Sequence, residues 1–582
     1  MKVKNIIKKG LYGIVAGTMV ITSTYTGVYA ANKVDTLLAN MTTEEKAAQI
    51  MQVDVRWATP EDVLKYQFGS ILAGGGATPN SGNSMTDWAS RADQYQKAIV
   101  DAHKIPLLYG VDAVHGNNNV DDATMFPHNI GIAAANDESL TKRVGQAVAS
   151  EVKATGANWT FTPTIGVPHN ERWGRTYETF GDDYQRVSKL GNAYIQGIQE
   201  QNVLASAKHY LGEGLTTNGT NQGNVVMNDD DYHALVQADM NNETVKELLT
   251  PYKTAIDNGV QSIMVTYNSF NGVKTHGNYD LVTTLLRDKL GFNGVVVSDY
   301  NGLDQISSYI DSQGHKKTAS TYKEKAIACV NAGVDLLMVA ENGNWQKLYS
   351  ALVEALNEGA ISEERINEAC RRILKAKDDL GLLDGENLYS SSADKNLFGG
   401  VQHQAIARDA VAQSLTLLKN TEMSDGQTMM QKLQNMKRIV VAGSNADDIG
   451  NQCGGWTITW QGSSGNITEG TTIYQGIKDN LEAKGGKAIY AANGYFEQDV
   501  DAAIVVVGEK PYAESNGDSS ASHLKISSSD LEVLNTIKQD HPQLPIVLVL
   551  VTGRPLTIAN QVVDERIQAI VSAWLPGSEG AG

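Results

Sequence analysis

The stretch Gly294-Val295-Val296-Val297-Ser298-Asp299-Tyr300 decides the fold. Three consecutive valines behind a glycine describe a strand buried on both faces, the condition of a parallel sheet. The run stops at Ser298-Asp299 and Asn301-Gly302 turns the chain away, so a carboxylate stands where the strand leaves the core. Barrel enzymes place catalytic acids there. An equally simple reading makes Asp299 the N-cap of the next helix, a role Asp fills well. The segment alone does not separate the two.

Outward from it, strand-like runs alternate with helical ones. Strands are expected at Gly69–Leu72, Ile105–Tyr109, Trp159–Thr162, Val203–Ala207, Ser262–Thr266, Gly294–Ser298 and Asp335–Val339. Helical patterns such as Leu140–Ala154, Tyr184–Glu200 and Leu281–Leu290 separate them, and Thr42 with Glu45 forms a capping box for a helix through Ile50. Buried strands alternating with helices mean βαβ units, and the economical closure is a (β/α)8-like barrel. The eighth strand is either Met51–Val55 or Ile130–Ala133. After it the pattern lapses into a Gly- and Ser-rich linker, followed by a helix over Ala405–Leu418. Continuous apolar strands at Arg438–Ala442, Ala503–Val507 and Ile546–Val551 then predict a second α/β domain of sandwich type. The expected organisation is a signal peptide over 1–30, a barrel over 31–385, a linker over 386–404 and the sandwich domain over 405–582.

Composition agrees. A chain of 582 residues exceeds one ordinary domain, and 41% hydrophobic with 20% charged residues describes a globular protein with a sizeable core. Lys2, Lys4, Lys8 and Lys9 precede an apolar run over Leu11–Ile21 and the small-residue pattern Val28-Tyr29-Ala30. This is a secretory signal, cut after Ala30 or Ala31, with an apolar core too short to span a membrane. Its removal takes the formal charge from -18 to -22, because residues 1–30 hold four lysines and no Arg, Asp or Glu. Such a surface repels nucleic acid and anionic membranes, and suits a secreted protein with a neutral ligand. Cys329, Cys370 and Cys453 have neither disulfide nor metal spacing, and no histidine cluster has metal spacing. Chemistry without metal or cofactor is expected.

Polar groups collect at one end of the barrel strands. Ile105–Tyr109 runs into Asp112, Val203–Ala207 into Lys208-His209, Ser262–Thr266 into Tyr267 and Gly294–Ser298 into Asp299. The loop after Trp159–Thr162 carries Arg172, Trp173, Arg175 and Glu178. Each has an ordinary explanation, such as an ion pair between Asp112 and Arg175 or a solvated Lys208. Together they need a ligand or a network to justify their desolvation. No phosphate-binding loop or dinucleotide fingerprint is present. A mixed-charge, aromatic-flanked pocket suits a neutral, hydroxyl-rich ligand.

These residues carry a resemblance. Tyr109-Gly110-Val111-Asp112-Ala113-Val114-His115-Gly116, Arg172-Trp173-Gly174-Arg175, Ala207-Lys208-His209, Val297-Ser298-Asp299-Tyr300 and Gln452-Cys453-Gly454-Gly455-Trp456-Thr457-Ile458-Thr459-Trp460-Gln461-Gly462 occur in family order. The chain resembles glycoside hydrolase family 3, most closely its β-glucosidase and β-D-glucan exohydrolase members. The resemblance implies that Asp299 is the nucleophile of a retaining, exo-acting hydrolase. It makes Asp112, Arg175, Lys208, His209 and Tyr267 sugar-binding residues, and oligosaccharides or aryl and alkyl β-glucosides the substrates. It places the acid/base at Glu514 in the second domain, with Glu509 as the rival in the same loop, and requires that domain to pack over the barrel mouth. Trp456 and Trp460 read alternatively as core packing, but their Gly-rich loop favours exposed rings that stack on something; the resemblance implies that a tryptophan of this loop clamps the sugar next to the terminal one. Tyr300 replaces the tryptophan usual after the nucleophile, which keeps an aromatic wall with a different rim.

Other readings stay open on sequence. A β-xylosidase of the same family fits the same motifs. The Asp-His pair of the N-acetylglucosaminidase branch is missing after Lys208-His209, where Tyr210-Leu211-Gly212-Glu213-Gly214 stands; Asp231-Tyr232-His233 comes too late. An aldolase-type barrel using Lys208 as a Schiff base leaves the second domain unexplained. The chain ends at Gly580-Ala581-Gly582, inside a motif after which such proteins continue, so an incomplete sandwich domain, and even an inactive carbohydrate-binding protein, is a further expectation.

Overall fold

Val295–Val297 form the buried strand that the valine run predicts. In chain order the barrel strands are β1 (Met51–Asp54), β2 (Ser70–Ala73), β3 (Leu108–Val111), β4 (Trp159–Thr160), β5 (Leu204–Tyr210), β6 (Ser262–Val265), β7 (Val295–Val297) and β8 (Leu337–Val339). Hydrogen-bonded neighbours follow the order β7-β6-β5-β4-β3-β2-β1-β8. A parallel bridge from Val297 to Leu336 joins the two edges and closes the barrel. In the register, Val295 lies opposite Ser262 and Val297 opposite Met264. The computed structural model describes residues 33–341 and 343–582. The expected signal peptide therefore lies outside the described residues.

The differences from the sequence reading have physical causes. The eighth strand is Met51–Asp54; Ile130–Ala133 belongs to the helix Asn129–Ala135. A short apolar run carries no period to tell helix from strand, and the alanines at its end favour helix. Expected at Ile105, β3 begins only at Leu108, since Pro106 has no N–H for the ladder. Lys208 and His209 lie inside β5 rather than beyond it. The capping box is as read: Glu45 N–H donates to Thr42 Oγ1 at 3.2 Å and Thr42 N–H to Glu45 Oε2 at 3.0 Å.

Six strands form the second sheet: β9 (Thr416–Asn420), β10 (Arg438–Ala442), β11 (Lys487–Tyr490), β12 (Ala502–Gly508), β13 (Ile546–Val551) and β14 (Ile567–Trp574). Their order is β9-β14-β13-β12-β10-β11. Pairing is parallel except between β9 and β14. The helix expected over Ala405–Leu418 runs Val401–Ser414, and Leu417-Leu418 fall in the edge strand β9. Pairing with β14 is a long-range event that no local apolar pattern reveals. The stretch between the sheets includes the helix Ser392–Lys395 and is tied to the barrel: Ser390 Oγ donates to Asp93 at 2.7 Å and Ser150 Oγ to Asp394 at 2.7 Å. Val114, Ile130 and Tyr177 of the barrel share a hydrophobic core with Trp456 and Ala513 of the second domain. Among the described residues no helix is long and apolar enough to cross a membrane.

Candidate active site

The carboxyl ends of the barrel strands and two loops of the second domain enclose one cavity of about 400 Å³. Ten of the residues singled out from sequence line it: Asp112, Arg175, Lys208, His209, Tyr267, Asp299, Tyr300, Trp456, Trp460 and Glu514; Arg172, Trp173 and Glu178 stand outside its lining.

Asp299 stands one residue beyond β7, after Ser298, and is only 8% exposed. Its N–H donates to His276 Nε2 at 3.0 Å, and its Oδ1 accepts the Tyr300 N–H at 2.7 Å. It caps no helix, for the short turn Gly302–Gln305 starts from Asn301. Oδ2 is buried with no hydrogen bond of good geometry; His209 Nε2 stands 3.7 Å away. One carboxylate oxygen is thus held by the backbone, and the other is left without a hydrogen-bond partner in a residue that lines the cavity. The Tyr267 hydroxyl donates to the Tyr300 carbonyl at 2.5 Å. Burial, with Asp299 nearby, pushes that phenol well above its ordinary range, so it remains a neutral donor.

Arg175 is buried and bidentate to Glu178, Nε to Oε1 at 2.9 Å and Nη2 to Oε2 at 2.8 Å. Its Nη1 reaches Glu514 Oε1 at 3.2 Å. The ion pair with Asp112 weighed on sequence is replaced by this pair. Trp456 Nε1 donates to Glu178 Oε1 at 2.9 Å, and the Trp456 ring faces both Arg175 and Lys208, at 5.7 and 5.9 Å. Trp456 is therefore a buried, hydrogen-bonded wall. Trp460 is 42% exposed at the rim, its Cβ packed over Gly75. Of the two indoles, Trp460 is the one free to stack on a ligand.

Burial lowers the Lys208 ammonium, with Arg175 adding to the effect, while Asp112, Glu178 and Asp299 oppose it. Asp112 is pushed up by burial and held back chiefly by Lys208. His209 stays neutral, driven well below its ordinary value by burial and by Arg175. Glu213 accepts the His209 N–H at 3.0 Å and lies 2.7 Å from Nδ1. A proton on Nδ1 leaves Nε2 as an acceptor facing the cavity.

Glu514 sits in the loop after β12. Burial pushes its carboxyl up to about 7; Arg175 opposes the rise, and Asp299 and Glu178 add to it. Its rival Glu509 is engaged elsewhere. Glu509 accepts from Arg554 Nε at 2.9 Å, Thr552 Oγ1 at 2.8 Å, the Gly553 N–H at 3.1 Å and the Tyr512 hydroxyl at 3.0 Å. It does not line the cavity.

Several residues of the site had escaped the sequence reading. Asp54 ends β1 and binds Arg56, Nε to Oδ1 at 2.9 Å. The Tyr300 hydroxyl donates to Asp54 Oδ2 at 3.1 Å and also meets Arg56. Asp54 obeys the same strand-end pattern as Asp299, but the undecided eighth strand hid it. Gln222 and Gln305 line the cavity and pair through their amides at 3.0 Å. Glu213 had only its spacing of four from His209 as a signal. Among the described residues no cluster of His, Cys, Asp and Glu is placed to hold a metal.

Comparison with known proteins adds to this geometry. The N-terminal domain model of glycosyl hydrolase family 3 matches residues 42–376 and its C-terminal domain model matches residues 415–582. The chain is similar to lysosomal beta glucosidase of Dictyostelium discoideum, 28% identical over 94% of this chain and 69% of that protein. It is also similar to periplasmic beta-glucosidase of Salmonella typhimurium, 26% identical over 94% of this chain and 70% of that one. A crystal structure of a mutant exo-1,3/1,4-beta-glucanase from a Pseudoalteromonas species superposes with a TM-score of 0.83, at 36% identity, covering 95% of this chain and 87% of that one. With its barrel, its second sheet and a carboxyl-lined cavity between them, the chain belongs to glycosyl hydrolase family 3 and is a glycoside hydrolase of the β-glucosidase type.

Proposed function

We propose that the protein is a secreted, retaining, exo-acting β-glucosidase that releases terminal glucose from β-glucosides, cello-oligosaccharides or β-glucan. The observation that carries this reading is a difference between two carboxyl groups in one cavity. Asp299 has one oxygen held and the other without a partner, whereas Glu514 is pushed up to about 7. In this reading Asp299 Oδ2 attacks the anomeric carbon while Glu514 delivers its proton to the glycosidic oxygen, and the aglycone leaves as an alcohol. The glycosyl–Asp299 ester is then hydrolysed by a water that Glu514, now ionised, deprotonates, and the two inversions give net retention.

The remaining residues support recognition of a hydroxyl-rich ring. Asp112 and the neutral His209 accept from sugar hydroxyls, and Lys208 donates to their oxygens. Contacts of this kind strengthen as positive charge develops on the ring. Trp460 at the rim offers a stacking face to the next sugar, and Tyr300 with Arg56 a polar wall beside it. An enclosed cavity of about 400 Å³ suits a chain end rather than the middle of a polymer. Secretion is supported by the pattern of residues 1–30 and the acidic remainder.

The test compares hydrolysis of aryl β-glucoside and aryl β-xyloside by wild type, Asp299→Ala and Glu514→Ala. The proposal expects the glucoside to be preferred, the product to keep the β-configuration by NMR, and both variants to be crippled. Full activity in Asp299→Ala contradicts the mechanism, and preference for the xyloside contradicts the substrate.

A further inference from the structure

We propose that Asp518 is a positioning residue for the reaction: its carboxylate latches the Glu514 loop to two separate barrel loops and so holds the acid at the cavity. This rests on the reading of Glu514 as general acid. That loop needs a hold. Glu514 opens the short turn Glu514–Gly517 with a backbone φ of 53°, a left-handed conformation that non-glycine residues keep only where the surroundings enforce it. Its carboxyl reaches the barrel through Arg175 at 3.2 Å, a side-chain contact that does not fix the backbone.

Before the turn, Tyr177 holds the Tyr512 carbonyl at 2.6 Å; after it, Asp518 supplies the side-chain clamp. Its Oδ1 accepts the Gly174 N–H at 3.0 Å and its Oδ2 accepts the Asn221 N–H at 2.8 Å. Gly174 lies in the loop after β4, next to Arg175; Asn221 lies in the loop after β5, next to Gln222. One carboxylate therefore ties the acid loop to two barrel loops at once. The seam beneath it is backbone against backbone. A Cβ on Gly174 would sit 2.0 Å from the Glu514 carbonyl oxygen and 2.7 Å from the Gly517 carbonyl carbon. From the other side, a Cβ on Gly517 would come within 2.8 Å of the Gly174 Cα and 2.3 Å of the Tyr512 ring. Beyond Asp518 the Ser519 N–H donates to the Arg172 carbonyl at 2.9 Å. The partners of Asp518 are main-chain N–H groups, which need acceptors when covered. Turning the carboxylate into an amide leaves one oxygen to accept and sets an NH2 against the other main-chain N–H, so one side of the seam is unclamped.

A latch of this kind affects proton delivery more than sugar binding. The experiment measures kcat/KM for cellobiose and for 2,4-dinitrophenyl β-glucoside, whose leaving group needs no proton. Wild type, Asp518→Asn, Gly174→Ala and Glu514→Ala are compared, each with a melting curve. Asp518→Asn is expected to lose roughly 10–100-fold on cellobiose and less than about 3-fold on the aryl glucoside, part of the full contribution of a general acid. Gly174→Ala pushes the same loops apart from the barrel side and is expected to show the same selectivity, which keeps the test alive should Asp518→Asn not fold. Equal losses on both substrates, or no loss on either, overturn the latch. If Glu514→Ala itself lacks the leaving-group dependence, the acid reading fails and the latch with it. If Glu514→Ala shows the dependence and the other two variants do not, the latch alone fails.

Discussion

The two carboxyl groups of the cavity are held by different means. Asp299 stands on the sheet: Ser298 N–H donates to the Leu336 carbonyl at 2.9 Å, and the Asp299 N–H to His276 at 3.0 Å. Its place is set by the closure of the barrel. Glu514 stands on a loop of another domain and reaches the cavity because that domain docks. The docking is substantial, for Tyr177 of the barrel donates its hydroxyl to the Tyr512 carbonyl at 2.6 Å and shares a core with Ala513. The difference teaches that the position of Asp299, the proposed nucleophile, is a property of one core, and that of Glu514, the proposed acid, a property of two. Disturbance of the interface should therefore reach Glu514 long before it reaches Asp299.

The largest expected effect comes from the sheet-held member. Asp299→Ala should lower kcat by about 10⁴–10⁶-fold on any glucoside, as removal of a nucleophile does, with glucose still bound as a competitive ligand. Glu514→Ala should cost about 10²–10⁴-fold on cellobiose and much less on a glucoside with a good leaving group. Azide added to that variant should yield β-glucosyl azide; absence of this product would argue against the role given to Glu514.

Beside Glu514 lies the Arg175–Glu178 pair, with both side chains nearly inaccessible. Glu178→Gln leaves a buried guanidinium without its bidentate partner and should lower unfolding stability by about 3–5 kcal/mol, read from denaturant melts. Conservative replacement of the exposed Lys246, paired with Glu243 at 3.4 Å on the surface, should leave the denaturant melt unchanged.

The pH dependence follows from Glu514. The acid must carry its proton to act, and its folded value of about 7 lies above the ordinary 4.5. Activity on alkyl glucosides should therefore hold up to near pH 7 and then fall about tenfold per pH unit. The sign for stability is the same: the folded state binds this proton more tightly than the unfolded chain, so that contribution is lost as pH rises from 4.5 through about 7. Glu514→Gln should remove the limb from the profile. The smallest effect belongs to the rim. Trp460→Ala should raise KM for cello-oligosaccharides by up to about tenfold, the scale of an aromatic contact of about 0.5–1.5 kcal/mol, and leave small aryl glucosides little changed.

Sequence carried far where a local pattern has one cause. Val295–Val297 behind Gly294 could be little other than a doubly buried strand, and the polar residue after it inherits the rim of the barrel. Asp112, Lys208, His209 and Tyr267 were legible by the same logic, and the capping box at Thr42 by its reciprocal geometry. What depended on long-range closure was not. Met51–Asp54, half polar, and Ile130–Ala133, apolar, are both too short to show a period, and only pairing with β2 and β8 distinguishes the first. With β1 undecided, Asp54 and Arg56 had no place in the site. The resemblance already favoured Glu514 over Glu509, but their surroundings needed the fold. Both follow one buried strand, and only docking shows that Arg554 and Thr552 occupy Glu509 while Glu514 faces Arg175. Trp456 and Trp460 look alike in sequence, yet one is buried on Glu178 and the other exposed.

The central claim is that Asp299, alone among the polar groups at the rim, forms a bond to the sugar. A 2-deoxy-2-fluoro-β-glucoside with an activated leaving group slows both steps and lets the intermediate accumulate. Mass spectrometry of the inactivated protein should show one fluoroglucosyl unit per chain, and its proteolytic fragments should place the unit on Asp299 in the Gly294–Tyr300 stretch. A label on Lys208 or on any other side chain, or turnover with no covalent adduct and an inverted product, would contradict the account.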